Sequence, residues 1–225
     1  EEVASDELDI PAMDVRIDAL RQSGRDLGRL AFGLHSEFGV LTADTVTGEL
    51  AGLRFDESRP GSLVWYQGAA ARTELRASLD FNDLGQTLEY FGYERIVKTD
   101  AGAFDLDLSW PGPPQAFALA QTRGRLSVDL DEGSFLEAPG GAAGALRVVS
   151  ILNLADIVRR LSMSHMFESG IPFESVRGEV LLDDGRLEVP GLEVRGSSSF
   201  QFSAVSDIER QSLQGELVAT LPVAR

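Results

Sequence analysis

The sequence contains no cysteine, and its 225 residues include two histidines. The absence of cysteine excludes disulfides and thiolate metal ligands. It also fits an oxidising compartment such as the bacterial periplasm, where an unpaired thiol is a liability. A zinc site would need His35 and His165, which lie 130 residues apart, together with carboxylates. We therefore expect no metal site, with His35 pointing outward from a strand and His165 in a loop.

Basic residues are scarce, since 36 acidic residues face 20 basic ones and the net charge is −16. This charge would repel nucleic-acid phosphates and disfavours adsorption onto an anionic membrane. No apolar run reaches the roughly 18 residues that a membrane-spanning helix needs. The chain begins "EEVASDELDI", without an initiator methionine or a signal-peptide pattern. We expect a single segment, residues 1–225, excised from a longer protein, with residues 1–9 as a disordered leader.

The local signatures of common enzymes are also missing. The sequence has no G-x-x-x-x-G-K-[ST] phosphate-binding loop and no G-x-S-x-G nucleophile elbow. Carboxylate pairs such as Asp183-Asp184 fall at turns, and nothing supports a glycosidase built from distant carboxylates. We expect no catalytic residues and no cofactor, so a function other than catalysis is favoured.

Alternation of apolar and polar residues is the dominant pattern. In "FDLDLSW" (104–110), the apolar residues occupy the even positions and Asp105, Asp107 and Ser109 the odd ones. Similar alternation occurs around residues 13–17, 30–34, 75–79, 126–130, 200–202 and 217–221. Such a pattern is typical of antiparallel strands with one apolar and one solvated face. The fold class that it predicts is mainly β, and we interpret the aspartates as the solvated face.

Turn residues divide this pattern into hairpins. "RGRLSVDLDEGSFLE" (123–137) and "RGEVLLDDGRLEVPG" (177–191) both predict a strand, an acidic-Gly turn and a returning strand, with turns at Glu132-Gly133 and Asp184-Gly185. "WPGPPQ" (110–115) predicts a loop, because proline interrupts a ladder. The repeated hairpin suggests a surface that is extended unit by unit.

Two stretches have helical spacing instead. Residues 83–92 place Leu84, Leu88 and Phe91 on one side, with Asn82 or Asp83 as N-cap. Residues 146–161 form the stronger prediction, after a flexible lead-in at 138–145. This second helix could cap the sheet, gate it or dock a partner, and plain capping is favoured. Its apolar face consists of Val148, Ile151, Leu152, Ala155 and Val158.

Five phrases occur in an order that resembles one known family. They are "DLGQTLEYFGY", "LSWPGPPQAF", "GRLSVDLDEGSFLE", "LRVVSILNLADIVRRL" and "FESGIPFESVRGEVLLDDGRLE". Together they are similar to the C-terminal region of YhdP-type proteins of the AsmA-like superfamily in Gram-negative bacteria, over roughly residues 10–222. The resemblance implies a periplasmic protein anchored in the inner membrane through a helix outside this segment. It also implies an antiparallel repeating sheet curled into an elongated groove, which shields phospholipid acyl chains between the two membranes.

The alternating apolar residues are the candidates for a groove lining, with phospholipid acyl chains as the ligand and an envelope protein as a possible partner at the groove end. A closed core built from the same residues is the competing interpretation. A structural or interaction module of an envelope complex, which binds no lipid, is the alternative function. The candidates are Phe104, Leu106, Leu108, Leu126, Val128, Leu130, Val180, Leu182, Leu187, Val189, Phe200 and Phe202.

Overall fold

The computed structural model confirms a mainly β fold, with one large antiparallel sheet. It describes residues 10–22, 24–136, 171–197, 199–210 and 212–220. One α-helix, α1 (Leu84–Tyr90), and two short 3-10 turns (Pro114–Ala116 and Leu119–Gln121) accompany the strands in these ranges. The strands are β1 (Met13–Gln22), β2 (Arg25–Glu37), β3 (Val40–Leu50), β4 (Leu53–Phe55), β5 (Gly61–Tyr66), β6 (Arg72–Phe81), β7 (Val97–Pro111), β8 (Arg123–Phe135), β9 (Ile171–Asp183), β10 (Arg186–Arg195), β11 (Ser199–Asp207) and β12 (Ser212–Thr220).

The order of strands in the sheet follows the order of the chain. It runs β1-β2-β3-β4-β6-β7-β8-β9-β10-β11-β12, and the short strand β5 pairs with β3 and β6. The sheet therefore grows by antiparallel addition of one strand after another, as the repeated hairpin pattern predicted.

In the described ranges, three hairpins close through two-residue turns whose residues both have positive φ. These turns are Phe38-Gly39 (φ 48° and 73°), Ala51-Gly52 (53° and 84°) and Asp184-Gly185 (44° and 84°). Two successive positive φ values define the type I′ turn, whose twist matches that of the strands it joins. The turn predicted at Asp184-Gly185 is confirmed.

The turn predicted at Glu132-Gly133 is wrong. Strand β8 passes through both residues and continues to Phe135. Glu132 alone has a positive φ, of 41°, whereas Gly133 does not. A single left-handed residue produces a bulge within a strand rather than a reversal of the chain. An acidic-Gly pair therefore did not by itself distinguish a bulge from a turn.

Helix α1 lies within the predicted range 83–92, with Asp83 as its N-cap. The Asp83 carboxylate accepts a hydrogen bond from the Gln86 amide at 3.3 Å. Gly85 and Thr87 are its buried residues, whereas Leu84 and Leu88 are half-buried and Phe91 is exposed. The second predicted helix (146–161), its five apolar residues, its lead-in at 138–145 and the leader at 1–9 lie outside the described residues.

The chain divides into two compact units. The first comprises the described residues up to Asp80 together with Phe104–Leu126 and Leu182–Gly185. The second comprises Phe81–Ala103, the described part of Ser127–Leu181, and the described residues from Arg186 onward. Each unit has its own buried apolar side chains. They include Ala77, Leu79 and Trp110 in the first unit, and Phe81, Val176 and Phe202 in the second.

Candidate functional site

Ion pairs identify the solvated face of the first unit. The Asp105 carboxylate accepts hydrogen bonds from the Ser78 hydroxyl at 2.5 Å and from Arg59 Nη1 at 2.7 Å. Arg76 Nε lies 3.4 Å from an Asp107 oxygen. Because side chains alternate along a strand, Phe104, Leu106 and Leu108 of β7 lie on the opposite, apolar face. The prediction that the aspartates of this strand face solvent is confirmed by their exposure.

One carboxylate on the solvated face has a strongly shifted pKa. The pKa of Asp56 is lowered to about 2, chiefly because the Ser58 hydroxyl donates to it, and then because the Ser58 amide and the Arg59 guanidinium do so. The hydrogen bond to Asp56, with the charges of Asp105 and Asp56, raises the pKa of Arg59. These groups hold the β4–β5 connection against the solvated face. Asp56 is half-buried and Ser58, Arg59 and Asp105 are exposed, so the contacts stabilise a surface loop rather than a cavity.

Candidate residues on the apolar face of the first unit divide by burial. Leu108 and Leu182 are buried, as are Ala77 and Leu79 of β6. Phe104, Leu106 and Leu126 are only half-buried. A half-buried apolar side chain keeps accessible surface that a ligand can cover, whereas a buried one already packs against its own chain.

The second unit has the same two-faced construction. Arg177 pairs with Asp129 at 3.0 Å and with Asp131 at 3.4 Å, which places these three residues on the solvated face. Alternation then places Val128 and Leu130 of β8, and Val180 of β9, on the apolar face. Leu130 is buried, whereas Val128 and Val180 are half-buried.

Strands β10 and β11 continue this apolar face in the second unit. Their register places Val189 opposite Ala204, Leu192 opposite Phe202 and Val194 opposite Phe200. Of the predicted residues here, Leu187, Val189 and Phe202 are buried and Phe200 is half-buried.

Leu192 and Val194 are buried on this face, yet sequence reasoning missed them. The register shift between Val189 and Leu192 moves the side chains that follow it to the opposite face, so that even-numbered rather than odd-numbered residues lie on the apolar face. The Pro190-Gly191 pair was the available signal, because proline and glycine inside a strand mark such shifts.

Glycines beneath phenylalanine rings are a recurring feature of the apolar faces. A Cβ placed on any of these glycines would meet a ring of a neighbouring strand too closely. The rings occupy the space that a side chain would take, as in the rescue of glycine by cross-strand aromatics. The pairs are Gly61 with Phe55 (2.7 Å), Gly102 with Phe81 (2.5 Å), Gly133 with Phe173 (2.6 Å) and Gly215 with Phe202 (3.2 Å). Phe202 is therefore part of the wall of the sheet rather than an open contact surface.

His35 lies on the solvated side of β2, with its Nδ1 at 3.8 Å from an Asp44 oxygen. The part of the chain that the structure describes contains no group of three or more potential metal-ligating residues. The predicted outward position of His35 is confirmed, while His165 lies outside the described residues.

Comparison with models of known families tests the family resemblance of the five sequence phrases. A model of the YhdP protein family matches residues 1–224. The chain belongs to the YhdP family. Membership of the YhdP family indicates a role in the cell envelope. No curated protein and no solved structure matches the chain. Among the described residues, no helix is long and apolar enough to cross a membrane.

Proposed function

We propose that this segment is periplasmic and shields phospholipid acyl chains on its apolar faces during passive transport between the inner and outer membranes. The observation that supports the proposal is the set of half-buried apolar side chains in each unit. They lie opposite a face that carries exposed ion pairs. A surface with one apolar and one charged side can cover a hydrocarbon chain while remaining hydrated outside. The proposal involves no covalent step, and its ligand is the acyl chain itself.

The energetic reason for such a surface is the hydration of hydrocarbon. Exposing one CH₂ group to water costs about 0.8 kcal/mol, so a chain of about 16 carbons costs on the order of 12 kcal/mol. Leu106 in the first unit and Val128 in the second each retain accessible apolar surface. Covering such a surface with an acyl chain removes water from both the side chain and the lipid.

The test is lipid co-purification from a Gram-negative periplasm, followed by native mass spectrometry and lipid extraction. Leu106→Asp and Val128→Asp place a charge on the apolar face at half-buried positions, and we expect both to abolish bound phospholipid. The matched control is Ser127→Asp, which adds the same charge on the solvated side of β8. Circular dichroism checks that each variant keeps its β structure.

Wild-type protein that carries no phospholipid would contradict the proposal and favour a scaffolding module of an envelope complex. Equal loss of lipid in the Ser127→Asp control would show that charge, rather than the apolar face, governs the association.

A further inference from the structure

Strand β12 forms one end of the sheet, and no strand within the described residues pairs with its outer edge. Its nine residues pair with β11 without any register shift. Such a regular strand presents an uninterrupted row of backbone N–H and C=O groups along its outer edge. Another strand can therefore pair with this edge along its whole length.

The side chains of β12 leave this edge unprotected. Natural edge strands usually carry lysine, proline, bulges or inward-pointing charges, which prevent pairing with another chain. The β12 sequence, "SLQGELVAT", contains no basic residue and no proline, and its one charged residue is Glu216. Leu213 and Val218 point to opposite faces of the strand and are 39% and 55% exposed. This composition favours the addition of a strand.

Strand β1, at the other end of the strand order, is protected by contrast. Its pairing with β2 contains register shifts on both sides of Leu20. Its exposed residues include four charged ones, Asp14, Arg16, Asp18 and Arg21. Both features hinder pairing at an edge, so head-to-tail addition of β12 to β1 of a second copy is disfavoured. Pairing of two identical β12 edges remains, and it closes as a twofold dimer rather than an open fibre.

The sequence of β12 is self-complementary in one antiparallel register. With the twofold axis at Gly215, Leu213 of each copy lies opposite Leu217 of the other, and Gln214 lies opposite Glu216. A glutamine side chain can donate a hydrogen bond to a carboxylate, so both kinds of pair are favourable. An axis at Glu216 would instead place two like charges directly opposite each other, which is destabilising.

This register also joins the apolar faces of the two copies. The β11–β12 pairing places Leu217 opposite the buried Phe202, and alternation places Leu213 on the same face. Residues directly opposite each other in an antiparallel pair share a face. The leucine pairs therefore continue the apolar face of the second unit from one copy into the next.

We propose that the chain forms a twofold dimer in which two β12 strands pair antiparallel about Gly215. The partner is a second copy of this chain, and the contact consists of backbone hydrogen bonds with leucine pairs on one face and glutamine–glutamate pairs on the other. This goes beyond the proposed function, because shielding an acyl chain does not require a second copy.

The experiment is sedimentation velocity of the purified chain over a range of protein concentrations. We expect a monomer–dimer equilibrium that shifts towards the dimer as NaCl rises from about 0.05 to about 0.5 M, because salt screens the repulsion between copies of net charge −16. Gln214→Glu should raise the dissociation constant of the dimer about tenfold, since it creates two pairs of opposed glutamates. Gln214 is exposed, so the variant should keep its fold, which circular dichroism checks.

A charge swap tests the register. Gln214→Glu combined with Glu216→Lys should restore at least the wild-type affinity, because each glutamate then faces a lysine. The matched control is Gln214→Glu combined with Glu94→Lys, which has the same net charge but places the lysine at an exposed position outside β12. We expect this control to remain close to Gln214→Glu alone.

Introduced cysteines give a second measurement, because the natural chain has none. Gln214→Cys combined with Glu216→Cys places thiols opposite each other in the proposed register, so mild oxidation should produce a covalent dimer. Ser212→Cys combined with Gln214→Cys places no two thiols opposite each other and should run as a monomer on a denaturing gel.

The proposal is overturned if the wild type stays monomeric at every concentration, if Gln214→Glu dimerises as tightly as the wild type, or if both cysteine pairs cross-link equally. Equal rescue by Glu94→Lys and Glu216→Lys would also overturn it, since net charge rather than strand register would then control association. Oligomers that grow beyond a dimer would indicate head-to-tail pairing of β12 with β1 instead. Leu106→Asp should leave the dimer intact whatever it does to lipid, so the two proposals fail separately.

Discussion

At the scale of single residues, Asp56 links the stability of one loop to pH. Its pKa is lowered to about 2, below the unfolded value of about 3.9. The interaction therefore favours the folded loop above about pH 4, and this contribution is lost as the pH falls from about 4 to about 2. We expect Ser58→Ala to raise the Asp56 pKa, because it removes the hydroxyl that lowers it most. Carbon-13 NMR titration of the carboxyl group measures this midpoint.

Glu57→Gln is the control for that titration, since it changes an adjacent charge and leaves the hydrogen bonds to Asp56 in place. The midpoint should remain close to that of the wild type. A Ser58→Ala midpoint equal to that of the wild type would mean that the hydroxyl does not hold the carboxylate.

Gly102 tests the pairing of glycines with phenylalanine rings. A Cβ at this position would lie 2.5 Å from the Phe81 ring and 3.0 Å from the Asp129 carbonyl oxygen. Phe81 is fully buried, so its ring is surrounded by other protein atoms. We expect Gly102→Ala to lower the free energy of unfolding by about 1–3 kcal/mol through overpacking, as measured by urea denaturation.

Gly191→Ala is the matched substitution, because its Cβ would meet only the flexible end of Gln201, at 3.3 Å. It should change the free energy of unfolding by less than about 0.5 kcal/mol. Equal stability of the two alanine variants would show that the ring yields and that glycine is not required.

At the scale of elements, one buried hydroxyl fixes the start of α1. The Leu84 amide donates to Thr99 Oγ1 at 3.0 Å, and the Thr99 hydroxyl donates to the Asn82 carbonyl at 2.7 Å. Thr99 is buried, so losing its hydroxyl leaves an amide and a carbonyl without this partner in a dry environment. We expect Thr99→Val to lower the free energy of unfolding by about 1–3 kcal/mol, measured by thermal or chemical denaturation.

Thr99→Ser retains the hydroxyl and removes only a methyl group, so it should retain most of the stability. If Thr99→Val were as stable as Thr99→Ser, the hydroxyl would contribute nothing and the helix would depend on its Asp83 cap alone.

At the scale of the whole molecule, the sequence predicted where the strands lie better than it predicted the positions at which successive side chains switch faces. The alternation in "FDLDLSW" correctly separated Phe104, Leu106 and Leu108 from the aspartates. It did not locate the left-handed residue Glu132 within β8 or the register shift after Val189, because neither changes the local composition of the strand. Each of these irregularities depends on how the strand pairs with its neighbour. The alternation within a single strand carries no information about that pairing.

The same limit applied to the candidate residues. Alternation found the apolar faces but gave no measure of how far each side chain is covered by its own chain. Leu130 and Val128 are two residues apart on one strand, yet the first is buried and the second half-buried. The turn at Phe38-Gly39 escaped notice for another reason, since Phe-Gly is not among the dipeptides typical of a type I′ turn.

The two-residue turns also restrict how this sheet can change in length during evolution. A two-residue turn with both residues left-handed cannot absorb an extra residue. A single residue inserted in a flanking strand therefore moves every later side chain of that strand to the other face. In β10, which follows the Asp184-Gly185 turn, such an insertion before Leu187 would move Leu187 and Val189 to the solvated face and Glu188 to the apolar face. Insertions and deletions beside these turns should therefore come in pairs of residues or in whole hairpins, unless a register shift compensates, as the one after Val189 does. Single-residue changes should accumulate in the connection at 111–121. The number of strands in the sheet is therefore expected to change during evolution by one whole hairpin at a time.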